Sequence, residues 1–78
     1  MRCFTLEELR CYNGRDGAPA YVAANGIVYD VTNSFLWRGG RHQALHEAGT
    51  DCTAHLRDAP HGAEFLERFP VVGVLVDG

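Results

Sequence analysis

Between residues 32 and 69 the chain never runs far without a helix breaker. Gly39-Gly40, Gly49, Pro60 and Gly62 cut this stretch into segments of roughly two helical turns each. Helices that short have little stability of their own and depend on packing. Two antiparallel pairs of them leave a cleft between the pairs, and something apolar has to fill it. The chain has 78 residues. A domain of this size buries only about 60% of its unfolded surface, and one such core yields roughly 3–5 kcal/mol. What completes the core is the question the sequence poses.

The flanks are simpler. Thr5 is placed to N-cap a helix, Glu8 closes a capping box, and Phe4 and Leu9 occupy the two positions of a hydrophobic staple. This helix is expected to end near Asn13-Gly14, followed by a loop through Pro19. Ala20-Tyr21-Val22-Ala23-Ala24, Asn25-Gly26 and Ile27-Val28-Tyr29-Asp30-Val31 form the strongest short-range signal of a β-hairpin. Thr32-Asn33-Ser34 starts a short helix or turn carrying Phe35, Leu36 and Trp37. A helix is expected from residue 42 to about 48, ended by Gly49. Asp51 caps another through about residue 58, because Pro60 disfavours helix at Ala59. Residues 63 to 69 form a further helix stopped by Pro70, and Val71-Val72-Gly73-Val74-Leu75-Val76 is a last strand. Helix, hairpin, short helices and strand in that order give an α+β fold, a single domain over residues 1–78 with no internal repeat.

Composition narrows the function. Hydrophobic residues are 46%, charged residues 22% and the formal net charge is −3, which excludes disorder and argues against nucleic acid as the main partner. No apolar run approaches the ~20 residues of a membrane span. The start lacks the apolar stretch of a signal peptide, so the expected location is cytoplasmic. The three cysteines, Cys3, Cys11 and Cys52, have no framework spacing and read as reduced thiols, with Cys52 a small buried residue. If the core needs a staple, a metal or a bound cofactor remains.

Four histidines, His42, His46, His55 and His61, all fall in the short-helix stretch. His42 follows Gly39-Gly40 and His61 lies between Pro60 and Gly62, so both sit at junctions, where a side chain can project along the cleft. Imidazole is the common nitrogen ligand of transition metals and of haem iron. His42 and His46 also have the i, i+4 spacing of a helical zinc pair, but Gln43 stands where a zinc hydrolase needs glutamate. No phosphate loop or nucleophilic triad is present.

Val28-Tyr29-Asp30-Val31-Thr32, Gly39-Gly40, Ala48-Gly49-Thr50-Asp51-Cys52-Thr53 and Pro60-His61-Gly62, in that order, resemble the cytochrome b5-like haem-binding family from Phe4 to Val74. Asp51-Cys52-Thr53 and Phe69-Pro70-Val71-Val72-Gly73 look closest to its small soluble prokaryotic branch of haem/steroid-binding proteins. The resemblance implies a small mixed sheet beneath two pairs of short helices that form a haem cleft. His61 takes the place of the second axial histidine. The first normally precedes Pro-Gly-Gly, and Trp37-Arg38-Gly39-Gly40 stands there instead; indole cannot ligate iron. His42, just past the glycine pair, is then the expected ligand, with His46 the alternative one helical turn on.

The same match implies that Val31, Phe35, Leu36, Leu45, Leu56, Ala59, Phe65 and Leu66 line the cleft, with Trp37 and His46 beside the cofactor and Arg38 and Arg41 as candidate partners of its propionates. Haem b would complete the core, at roughly 25 cal/mol per Å² of apolar surface buried. The implied function is one-electron transfer with two imidazole ligands, by a monomer that is not itself an enzyme. Glu7, Glu8, Asp16, Glu47, Glu64 and Glu67 read as a solvated face, and the acidic surface favours transient encounter with a basic redox partner. His55 reads as a solvated helix position. The alternative is a haem-carrying or small-molecule-binding regulatory module like the membrane-associated progesterone-receptor branch; a third is a cofactor-free interaction domain.

Overall fold

The computed structural model describes residues 2–33, 41–42, 46–54 and 66–77, with 41–42 and 46–47 described by their backbone. In chain order the elements are β1 (Arg2–Phe4), α1 (Leu6–Leu9), β2 (Tyr21–Ala24), β3 (Ile27–Asp30), β4 (Arg41–His42), β5 (His46–Glu47) and β6 (Val71–Leu75). Four strands make a mixed sheet in the order β1-β6-β3-β2, and β4 and β5 make a separate pair.

The hairpin forms as its sequence dictates. Asn25 and Gly26 take φ of 52° and 80°, the two left-handed positions that a type I′ turn requires. β2 and β3 then pair from Tyr21↔Asp30 to Ala24↔Ile27. Side chains on β2 alternate between two cores. Ala23 joins Phe4, Leu9 and Val28 on one face, where Tyr12, Tyr21, Val72 and Leu75 pack against them. Val22 and Ala24 join Ala20, Val31, Ala48, Cys52 and Leu66 on the other, with Tyr29 and Phe69 alongside.

The capping box at Thr5 is present. The Thr5 hydroxyl accepts from the Glu8 amide at 3.1 Å, and the Glu8 carboxylate accepts from the Thr5 amide at 3.0 Å. Phe4 and Leu9 are both buried in one core cluster, as a staple requires. The helix is shorter than its sequence signal, however, and ends at Leu9 rather than near Asn13. The reason is competition for backbone groups. Tyr12 O accepts from Tyr21 N, Gly14 N donates to Pro19 O, and Asn13 bridges to Ala20, so residues 12–14 are drawn to the approach of β2.

There are three further departures. β1, absent from the sequence expectation, runs parallel to β6 through Arg2↔Gly73, Cys3↔Val74 and Phe4↔Leu75. Gly73 makes this close approach possible, because any side chain there would collide with the Arg2 carbonyl and the Phe4 ring. The helix expected from residue 42 to 48 is not formed: Arg41↔Glu47 and His42↔His46 pair as an antiparallel ladder. A segment this short has too little intrinsic helicity to resist pairing, and the chain just after it bonds along β2. Lastly, the described end of the helix expected over residues 63–69 is a single 3₁₀ turn, closed by Phe69 N donating to Leu66 O. Helix at Thr53 and Ala54 agrees with capping by Asp51, whose Oδ1 accepts from Thr53 N at 3.0 Å.

Candidate functional site

The site grows from the outer edge of β2. Residues 49–53 run beside that strand and satisfy its backbone. Gly49 N donates to Tyr21 O at 2.6 Å, Ala23 N to Thr50 O at 3.0 Å and Cys52 N to Ala23 O at 2.7 Å. Gly49 makes this possible with φ of 82°, at a point where a side chain would press on the Leu9 and Arg10 carbonyl oxygens. The docked segment carries Ala48 and Cys52 into the core that holds Val31 and Leu66.

Two of the expected cleft-lining residues are therefore brought together. Val31 and Leu66 are both fully buried in that one cluster. Ala20, Val22, Ala24 and Ala48 belong to the same cluster and were not anticipated there; the alternation of Val22 and Ala24 along β2 was the available signal. Cys52 is buried as expected. Burial pushes its thiol above the ordinary value of 9.0, and its Sγ lies 3.6 Å from Thr50 Oγ1. It is thus a protonated packing group rather than a nucleophile.

His42 and His46 face each other in register across β4 and β5. The expectation that they lie one helical turn apart is corrected, and the helical i, i+4 basis for zinc falls with it. Phe35, Leu36, Trp37, Leu45, Leu56, Ala59, Phe65 and His61 lie outside the described residues, as do Arg38 and His55. Of the anticipated solvated acids, Glu7, Glu8, Asp16 and Glu67 are exposed.

The described part of the site suits an apolar ligand such as a haem group. No polar or charged side chain is buried among the described residues, and the cluster around Val31 and Leu66 is apolar apart from one protonated thiol, which suits a porphyrin face. The histidines of the chain supply imidazole nitrogens, the donor type haem iron takes.

Residues 5–76 match the family model described as the cytochrome b5-like heme/steroid binding domain, and the chain belongs to that family. It is similar to a Hadesarchaea cytochrome b5 domain protein of known structure, with 66% identity and a TM-score of 0.93 over 97% of this chain and 100% of that one. The fold is thus the cytochrome b5-like α+β fold. Over 67% of this chain it is 44% identical to a nitrate reductase of Phaseolus vulgaris, of whose length it spans 6%. Over 68% of this chain it is 45% identical to a probable steroid-binding protein of Arabidopsis thaliana, of which it spans 54%. Among the described residues no helix is long and apolar enough to cross a membrane.

Proposed function

We propose that this chain binds haem b in a cleft whose walls follow Thr32 and Thr53, with His61 and His42 as axial ligands, and that it carries single electrons rather than catalysing a reaction. The observation that carries this reading is the family match over residues 5–76. The apolar cluster that joins Val31 to Leu66 supports it, because these two residues come from the two stretches that would form the walls. Bound haem would supply a reversible ferric/ferrous couple. The chain's own residues do the rest. The imidazoles of His61 and His42 would hold the iron between them, which would leave no site for oxygen activation. Phe35, Leu36, Trp37, Leu45, Leu56, Ala59, Phe65, Val31 and Leu66 exclude water from the porphyrin faces. His46, opposite His42 in the ladder, is the alternative first ligand. The protein works as a cytoplasmic monomer, and its acidic surface meets a basic redox partner transiently.

Titration with hemin tests this reading, and a saturable Soret shift is expected. His61→Ala should abolish stable binding, and His42→Ala should convert a low-spin spectrum to high-spin. If His46→Ala does so and His42→Ala does not, the ligand moves across the hairpin. No saturable shift in the unaltered protein ends the haem reading. The Arabidopsis relative's name as a probable steroid-binding protein favours a second reading, a regulatory or carrier module for haem or a steroid-like molecule. That module would show an open or weakly held iron position and bind added ligands there.

A further inference from the structure

β2 is held at both ends by the same device, used twice. At its start, Thr32 Oγ1 accepts from Ala20 N at 2.9 Å and donates to Asp30 Oδ1 at 2.5 Å, while Thr32 N donates to the same carboxylate at 2.9 Å. At its end, Thr53 Oγ1 accepts from Asn25 N at 2.8 Å and donates to Asp51 Oδ1 at 2.5 Å, while Thr53 N donates to that carboxylate at 3.0 Å. The Thr32 hydroxyl also lies 3.5 Å from Ala20 O, but the carboxylate is the nearer and charged acceptor in each clip, so the hydroxyl proton goes to it and a lone pair turns toward the strand amide. The residue between each Asp and Thr, Val31 or Cys52, is buried in the same core cluster. Its amide also bonds to β2 or the residue just before it, Val31 N to Ala20 O at 2.8 Å and Cys52 N to Ala23 O at 2.7 Å.

The chain that leaves Thr32 carries Phe35 and Leu36, and the chain that leaves Thr53 carries Leu56 and His61. Those are the two stretches to which the haem reading, on which this inference rests, assigns the cleft. Both therefore leave the sheet beside opposite ends of one short strand, each through a similar clip. Residues 20 and 25 are five positions apart, and extended chain of that length spans roughly 17 Å. A clip that slips lets its wall slide along the strand. We infer that Thr32 and Thr53, each held by the aspartate two residues before it, are positioning residues that fix where the two walls of the cleft leave the sheet beside the ends of β2.

Thr32→Val and Thr53→Val keep the branched shape and remove the hydroxyl; Thr32→Ser and Thr53→Ser keep the hydroxyl. Two measurements are made on each protein. One is amide exchange at Ala20 and Asn25 in the haem-free form, and the other is the rate of hemin loss from the loaded form to a scavenger. Each valine variant should speed exchange at its own amide, leave the other unchanged, and speed hemin loss about fivefold to tenfold, as expected when a strand amide loses its hydroxyl acceptor. Each serine variant should restore both. Asp30→Asn and Asp51→Asn, which remove the charge and keep an acceptor oxygen, should act in the same direction and serve where a valine variant does not fold. Faster amide exchange with unchanged hemin loss would overturn the inference, because the clips would then hold the strand alone. Failure of the unaltered protein to take up hemin would be seen before any variant is compared, and would remove the haem reading and this inference together.

Discussion

Gly73 illustrates how one residue can decide a contact between the two ends of a chain. It is buried in β6, and its missing side chain leaves room for the Arg2 carbonyl and the Phe4 ring. The Phe4 ring meets Tyr12 and Tyr21 edge-on at 5.6 and 5.8 Å, and those two stack at 4.6 Å. Arg2 crosses the Phe4 ring at 4.5 Å and donates to the Tyr12 hydroxyl at 2.6 Å. Because the obstacle is backbone rather than a flexible side chain, relief requires strand movement. Gly73→Ala is expected to destabilise by about 1–3 kcal/mol, in the range of overpacked cores, and denaturant unfolding checks it. Unchanged stability would mean that β1 moves off without cost.

At the scale of the element, α1 shows how much a single turn leans on its cap. Its four residues are far below the length that sustains a helix in isolation. Hydrogen bonds from the Thr5 backbone and side chain hold the Glu8 carboxyl below its ordinary value of 4.5. A carboxyl with a lowered folded-state pKa adds stability above its unfolded value. That stability is lost as pH falls through the folded one. Lowering the pH from 6 toward 3 should therefore reduce the melting temperature of the unaltered protein more than that of Glu8→Gln. Parallel melting curves across that interval would show that the charge of Glu8 adds nothing to the cap. The β4–β5 pair makes the complementary point, since a stretch with helical spacing of two histidines becomes a ladder once its neighbour docks on β2.

For the molecule as a whole, a core split into two clusters on either face of a thin sheet leaves little reserve in a chain this short. A group that binds only the folded state stabilises it by mass action, about 2.7 kcal/mol at a hundredfold excess over its dissociation constant. For a domain of this length that corresponds to a rise in Tm of roughly 10–20 °C. Hemin-loaded protein should melt that much higher than haem-free protein, as followed by circular dichroism; equal midpoints would contradict completion of the core by haem.

What was legible in the sequence is what depends on neighbours along the chain. The Thr5–Glu8 box, the Asn25-Gly26 turn and the Asp51 cap are set by contacts a few residues apart or by backbone angles that few residues tolerate, and the last strand announces itself by its run of β-branched residues. The motif order that marks the cytochrome b5-like family was legible too. The partner of β1, the early end of α1 and the hairpin at His42 and His46 were settled only in three dimensions. For β1 and the end of α1, backbone groups took partners distant in the chain; for His42 and His46 a ladder formed where helical spacing also fitted, and no local pattern records either competition. The union of Val31 with Leu66 in one core belongs to the same class, because residues so far apart in the chain meet only after the sheet has placed them.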